Sequence, residues 1–225
     1  MDFLLVVSIV LLLAWSAYSV MRSRQKARQK AASFYSELQP YVEHCEFSKS
    51  TTQFQILSGI YEGYKVKLVP EVDKLVFQRL PRLYLRIYVY VPNTVFFRLR
   101  NQSFDTQSNY LFPPNSFESS YREIKLNNQD YGLFLGDGEH PLNIGTCLEQ
   151  SFPAGDRCAE LLFQANFIRV TILLAKGQQS SYILTRAADF SDLVFRKDFF
   201  QTYFQAVLEL HKELNQTDTN MSPNL

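Results

Sequence analysis

The fold is decided by a stretch near the middle of the chain, LYLRIYVYV at positions 83–91. Its side chains alternate in character at every step, which is the period-two pattern of a β-strand with one buried face. The aliphatic face carries Leu83, Leu85, Ile87, Val89 and Val91. The opposite face carries Tyr84, Arg86, Tyr88 and Tyr90. Two such different faces predict a sheet that is covered on its aliphatic side only.

Similar alternation surrounds this strand. Residues 53–60 and 64–68 flank turn material at 59–63 and predict a β-hairpin that Pro70 should end. Residues 95–100 alternate again after the Pro92-Asn93 turn. We expect further strands at residues 121–126, 131–135, 167–175 and 181–186, and a short helix over 156–164 capped by Asp156.

The end of the chain predicts an amphipathic helix over residues 198–214. Its apolar positions fall on one side of a helical wheel: Phe199, Phe200, Tyr203, Phe204, Val207, Leu210, His211 and Leu214. Such a helix needs an apolar surface to cover, and the aliphatic face of the sheet provides one. We therefore expect an α+β fold, with a mainly antiparallel β-sheet domain packed by a C-terminal amphipathic helix.

The N-terminus predicts a membrane anchor. Residues 3–21, FLLVVSIVLLLAWSAYSVM, contain no charged side chain. At ~1.5 Å per residue a helix of this length is about 28 Å long, close to the ~30 Å hydrocarbon core of a bilayer. A cleaved signal peptide and a buried soluble helix are the alternatives, but no basic residue precedes the apolar run, as a signal peptide requires.

A basic run follows the predicted span and consists of Arg22, Arg24, Lys26, Arg28 and Lys30. The positive-inside rule then places the N-terminus outside and the C-terminal domain in the cytoplasm. These side chains either set topology alone or also contact anionic lipid headgroups. The expected domains are an anchor at 1–21, a basic juxtamembrane helical stalk at 22–46, a single α+β domain at 47–214 and a polar tail at 215–225.

Composition restricts the function classes. The 225-residue chain is 46% hydrophobic and 20% charged, which excludes a disordered or collagen-like protein. Three Cys and three His form no zinc spacing, and the chain has no nucleophile elbow, phosphate loop or nucleic-acid motif. We expect no cofactor, no metal and no nucleic acid, and we assign no catalytic residue.

The sheet face opposite the aliphatic side is the candidate binding surface. It would present cations and aromatic rings together: Lys65, Lys67, Tyr84, Arg86, Tyr88, Tyr90, Phe96, Arg98 and Arg100. Such a surface suits an acidic protein partner or anionic lipid headgroups. The alternative is a solvated face held by cross-strand pairs. Charge reversal of Arg86, Arg98 and Arg100 is expected to abolish association without unfolding the domain.

Our hypothesis is a single-pass membrane protein with a non-catalytic binding or assembly domain. An accessory subunit of a membrane complex is one alternative. A membrane-tethered enzyme without a local motif is another, with Asp137, Glu139 and His140 as candidates and the polar, aromatic loop at 101–120 as a lid.

Overall fold

The computed structural model describes residues 7–8, 11–19, 21–22, 33–73, 81–104, 120–136, 144–153, 155, 157–176, 190 and 193–219. In chain order its elements are a 3-10 helix at Gln39–Tyr41, β1 (Glu43–Ser48), β2 (Ile56–Tyr61), β3 (Tyr64–Asp73), β4 (Arg82–Tyr90), β5 (Phe97–Asn101), β6 (Ser120–Leu126), β7 (Gln129–Leu135), α1 (Ile144–Ser151), β8 (Cys158–Gln164), β9 (Phe167–Lys176) and α2 (Lys197–Thr219).

The described strands form one nine-stranded sheet in the order β1-β2-β3-β4-β9-β8-β5-β7-β6. Each adjacent pair is antiparallel. The chain builds the meander β1–β4, crosses to β5, and adds the β6–β7 hairpin, of which β7 pairs with β5. It then returns with the β8–β9 hairpin, which fills the space between β4 and β5. The predicted α+β class, with a large antiparallel sheet and a C-terminal helix, is confirmed.

The face of the sheet that packs on α2, here called the inner face, holds the main core. Side chains from neighbouring strands are at most 1% exposed there, among them Leu68, Leu85, Ile87, Leu99, Leu161 and Val170. The aromatic ring of Tyr61 lies 4.9 Å, centroid to centroid, from both Phe200 and Phe204 of α2. Each fully buried Leu or Phe stabilises the fold by about 1.5–3 kcal/mol.

Polar contacts fix α2 on this face along its length. Gln205 donates to Glu62 at 2.8 Å, and the Thr94 hydroxyl donates to Asn215 at 2.7 Å. The His211 ring nitrogen Nε2 lies 2.9 Å from the Pro92 carbonyl oxygen. The helix extends beyond the expected Leu214 because residues 215–219 contain neither glycine nor proline.

Two stretches that were expected to be helical are not α-helices. In the described part of the stalk predicted at 22–46, residues 33–38 form turns, Gln39–Tyr41 form a 3-10 helix, and β1 begins at Glu43. Phe34, Tyr35 and Leu38 are at most 2% exposed, so packing against the core overrides the local helical preference. The stretch expected as a helix from Asp156 is instead strand β8, because pairing with β5 and β9 determines it.

Pro70 does not end its strand, since β3 continues to Asp73. The pairing of β3 with β2 stops at Leu57↔Leu68, so beyond Leu68 the strand needs backbone hydrogen bonds on the β4 side only. A proline is tolerated where one side of a strand has no neighbour to pair with. The strand expected at 181–186 lies outside the described residues.

Within the predicted anchor, residues 7–8, 11–19 and 21 are described, and all of them are helical. Among the described residues, no helix combines the length and the apolar character needed to cross a membrane. The predicted span at 3–21 therefore stays a prediction.

We predict that Gly59→Ala destabilises the fold. A Cβ at Gly59 would clash with Val42 Cγ1 and lie 2.7 Å from the Glu43 carbonyl oxygen, so β1 would have to move. The expected loss is about 1–3 kcal/mol in the free energy of unfolding, measured by urea denaturation of the full chain in mild detergent. Gly145→Ala in α1, where a Cβ meets nothing within 4 Å, is the control and should be neutral or stabilising. Equal stability of both variants would contradict this packing.

Candidate functional site

The second face of the sheet, here called the outer face, brings cations and aromatic rings together. Across β3 and β4, Lys65 is opposite Tyr90 and Lys67 is opposite Tyr88. Across β4 and β9, Tyr88 is opposite Arg169. Residues directly opposite one another in an antiparallel pair share a face, so these side chains form one continuous surface.

Three rings form what we call the aromatic cluster: Tyr88, Tyr90 and Phe167. Centroid distances are 5.4 Å for Tyr88–Phe167, 6.3 Å for Tyr90–Phe167 and 6.5 Å for Tyr88–Tyr90. Lys65 Nζ lies 5.4 Å from the Tyr90 centroid, and Arg169 Cζ lies 5.9 Å from the Tyr88 centroid. All three rings are half-buried, so each keeps part of its surface in contact with solvent. Burial, then the neighbouring Tyr88, raises the pKa of Tyr90, which stays a neutral phenol at physiological pH.

Beside the cluster, the carboxylate of Glu160 is fully buried and receives two guanidinium groups. Arg98 Nε donates to Oε1 and Arg169 Nη2 donates to Oε2, each at 2.7 Å. The Thr171 hydroxyl also donates to Oε2, at 3.4 Å. We call these four residues the Glu160 network. It links β5, β8 and β9 through charge-assisted hydrogen bonds, which are the strong ones.

A second ion pair continues the charged surface onto β3 and β4. Arg86 Nη2 lies 3.0 Å from Glu71 Oε2, with both side chains partly exposed. Burial raises the pKa of Glu71, Arg86 and Arg169 oppose that rise, and Glu160 adds to it. For Arg169, burial disfavours the charged form, but Glu160 and Tyr88 raise its pKa overall. The two ion-pair groups and the aromatic cluster therefore interact electrostatically.

The structure separates the residues that the sequence grouped as a binding surface. Lys65, Lys67, Arg86, Tyr88 and Tyr90 lie together on β3 and β4 and are exposed or half-buried.

The remaining four lie elsewhere. Tyr84 is 2% exposed and packs against Phe104, with ring centroids 6.2 Å apart. Arg98 and the half-buried Arg100 are on β5, which β9 and β8 separate from β4. Phe96 precedes β5, and its carbonyl accepts a hydrogen bond from Gly136. Because Arg98 binds a buried carboxylate, charge reversal there would place two carboxylates together, so from the structure we expect it to destabilise the domain.

Glu160, Arg169 and Phe167 are not among the residues that the sequence predicts for the binding surface. For Glu160 the reason is that the sequence pattern predicts a helix over 156–164, where the structure has strand β8. A usable signal was present, since two apolar runs, LLF at 161–163 and the β-branched residues of 168–172, flank the short Ala165-Asn166 connection. That pattern is typical of a hairpin, and it would have placed Glu160 and Arg169 on adjacent strands.

The structure describes few of the other candidates. Asp137, Glu139 and His140, the greater part of the 101–120 loop, and Arg24, Lys26, Arg28 and Lys30 lie outside the described residues; Arg22 is helical and exposed. Among the residues that are described, no group of three or more His, Cys, Asp or Glu side chains could hold a metal ion. Cys45, Cys147 and Cys158 are free thiols, and burial raises the pKa of each, which disfavours the nucleophilic thiolate.

The fold and the outer face define an α+β domain with one helix-covered and one charged, aromatic sheet face. No protein-family model and no curated protein matches the chain. Among solved structures, it is similar to the crystal structure of the mycobacterial trehalose monomycolate transport factor A, TtfA. The two are 8% identical with a TM-score of 0.45, and the match covers 81% of this chain and 93% of that chain. A likeness of this size carries no functional argument.

We predict that Glu160→Gln strongly destabilises the domain. The variant would leave Arg98 and Arg169 facing a neutral amide in a buried site, with an expected cost of about 3–5 kcal/mol in the free energy of unfolding. Glu71→Gln is the matched control, because its ion pair with Arg86 is partly exposed, and it should cost only about 1 kcal/mol. Urea denaturation of the full chain measures both. Equal, small losses would show that the network does not stabilise the sheet.

Proposed function

We propose that this chain is a single-pass membrane-anchored protein whose domain is a non-catalytic binding or assembly module. In this proposal the aromatic cluster and its flanking cations bind an acidic segment of a partner protein. The domain works at the cytoplasmic surface of the membrane, with the N-terminus outside. The observation that carries the proposal is the half-exposed aromatic cluster between Lys65 and Arg169.

The composition of the outer face supports a protein partner. Tyr, Phe and Arg are enriched at protein interfaces, where large rings provide contact area at low entropic cost. The lysines at positions 65 and 67 stand beside the rings and would attract carboxylates and steer the encounter. Opposite them, the inner face is already covered by α2. The outer face is therefore the better candidate for an external partner.

The anchor is supported by apolar side chains that the rest of the fold does not cover. Leu11, Leu12 and Leu13 are 64–69% exposed, and Trp15 is 73% exposed. Soluble domains seldom expose contiguous apolar side chains of this kind, whereas a lipid bilayer accommodates them. The basic residues that follow favour a cytoplasmic domain.

Removing the half-buried rings of Tyr88 and Tyr90 tests the binding role of the aromatic cluster. We expect the double variant Tyr88→Ser/Tyr90→Ser to reduce the recovery of partner proteins by about ten-fold or more, because buried tyrosines at an interface are frequent hot spots. The measurement is affinity purification of the tagged full chain in mild detergent, followed by quantitative mass spectrometry.

The matched control for this test is Tyr41→Ser. Tyr41 is 52% exposed, and Lys197 Nζ lies 3.3 Å from its ring centroid, so the variant loses the same kind of cation–ring contact elsewhere. Unchanged recovery with the double variant would reject the proposal. If the double variant recovers the same partner proteins but less co-purified anionic lipid than the wild type, the outer face would be assigned to lipid headgroups instead.

Protease accessibility tests the proposed topology. A C-terminal tag on the full chain should be protected in intact cells and cleaved after permeabilisation, because the basic run keeps the domain on the cytoplasmic side. An N-terminal tag should be cleaved in intact cells as well as after permeabilisation, and it serves as the control. Cleavage of the C-terminal tag in intact cells would place the domain outside.

A further inference from the structure

β6 is the terminal strand in the order of the sheet. It pairs with β7 on one side, and no other strand of the described residues pairs with its second side, which is therefore an open edge. Residues 120–123 and Lys125 are exposed, so side chains do not cover the edge. The backbone donors and acceptors of such an edge are a template for another strand.

The opposite edge of the sheet differs. The pairing of β1 with β2 is interrupted between Glu43 and Glu46, and His44 has a φ of 49°. An irregularity of this kind twists an edge strand and hinders further pairing. β6 instead keeps an unbroken register from Ser120↔Leu135 to Leu126↔Gln129.

β6 is also held firmly to β7. The Tyr121 and Phe134 rings lie 5.0 Å apart, and a Cβ at Gly132 would approach Tyr121 Cε2 to 2.9 Å. The Tyr121 ring therefore packs directly over the glycine of β7, a contact that pins strand register.

The hairpin turn determines which backbone groups point outward. Asn127 and Asn128 have φ values of 47° and 63°, as in a two-residue type I′ turn. The residues flanking such a turn, Leu126 and Gln129, form a hydrogen-bonded pair, and the pattern then alternates along the strand. The outward N–H and C=O groups therefore belong to Tyr121, Glu123 and Lys125.

Strand overlap and charge together select one register for pairing β6 with itself. A two-fold axis perpendicular to the sheet relates the two strands of an antiparallel pair without exchanging the two faces of the sheet. One residue of β6 must then lie directly opposite the same residue of the second copy, and we name the axis by that residue. An axis through Ser120, Tyr121 or Leu126 lies near an end of the strand and pairs at most three residues of each copy of β6. An axis through Arg122, Glu123 or Lys125 places two like charges opposite each other. An axis through Ile124 instead places Glu123 opposite Lys125 of the second copy, and Lys125 opposite its Glu123.

We propose that two copies of this chain associate through β6 in the register centred on Ile124. The outward groups of Glu123 and Lys125 then exchange about four backbone hydrogen bonds with the second copy, and the two sheets become continuous. Two Glu–Lys pairs flank a central Ile–Ile contact. Anchoring both copies in one membrane raises their effective concentration, so a small interface suffices.

Cysteine cross-linking tests the register. In a non-hydrogen-bonded pair on the axis, the two Cα atoms at position 124 are ~4.5 Å apart, within disulfide range. Ile124→Cys in the full chain, oxidised with copper phenanthroline in isolated membranes, should give a dimer. Arg122→Cys is the control, since its two copies would be roughly 14 Å apart along the strands and should not cross-link. The wild type, with its native cysteines, provides the background.

Charge swaps test the pairing itself. In the Ile124→Cys background, Glu123→Lys should lower the dimer yield about five-fold, because it places lysines opposite each other at two positions. Adding Lys125→Glu restores opposite charges and should restore the yield. Failure of this rescue overturns the register.

A second cross-link uses exposed positions only, so folding is not at risk. Chains carrying Glu123→Cys and chains carrying Lys125→Cys should cross-link when co-expressed, and neither should do so alone. Absence of both this and the Ile124→Cys dimer overturns the proposal. Two other results would also overturn the proposal. One is a ladder of multimers joined through Cys45 of β1, which would show head-to-tail pairing of opposite edges. The other is an adduct between the thiol introduced by Ile124→Cys and a different protein.

Discussion

The buried carboxylate of Glu160 is the constraint on which the middle of the sheet depends. Strand β5 is distant in sequence from the β8–β9 hairpin, yet outer-face side chains of all three strands converge on this one group. A carboxylate at zero exposure is costly unless positive charge and hydrogen bonds compensate it, and Arg98, Arg169 and Thr171 provide both. Leu162 of β8 pairs with Arg98 of β5 on one side and with Arg169 of β9 on the other. Glu160 lies two residues before Leu162 and so on the same face, which means that β8 between β5 and β9 brings both guanidinium groups to its carboxylate.

Local patterns were sufficient for the elements that are periodic and for the fold class. The alternation of 83–91 and the apolar stripe of 198–214 correctly predicted β4 and α2, since each pattern reflects burial on one face. The strand order was not predictable, because β9 reaches β4 only after the chain has completed five intervening elements. For the same reason, the sequence could place Lys65, Tyr88 and Tyr90 on one face but could not show that Arg98 is buried against Glu160.

The failures share a physical cause, which is tertiary packing that overrides local preference. The stretch 33–38 follows a run of helix formers and ends in Glu37 and Leu38, but its large rings pack in the core, where Phe34 lies 4.4 Å from Phe54 and 5.9 Å from Phe195, centroid to centroid. The β8 strand contains Ala, Glu and Leu, which favour helix in isolation, and pairing on both edges decides otherwise. In each case the deciding contact is with a residue far along the chain.

The two proposed surfaces lie at separate places on the sheet. The aromatic cluster is on β4 and β9, whereas β6 is four strands beyond β9, a distance of about 19 Å at ~4.8 Å per strand. Pairing through β6 would therefore leave the aromatic cluster of each copy exposed. A membrane-anchored pair would present two identical clusters on one continuous sheet face, and a partner with two acidic segments would bind such a pair more tightly than one copy, since its second contact is intramolecular. Two such contacts made by one partner would therefore give a stable complex even where each contact at a half-buried cluster is weak by itself.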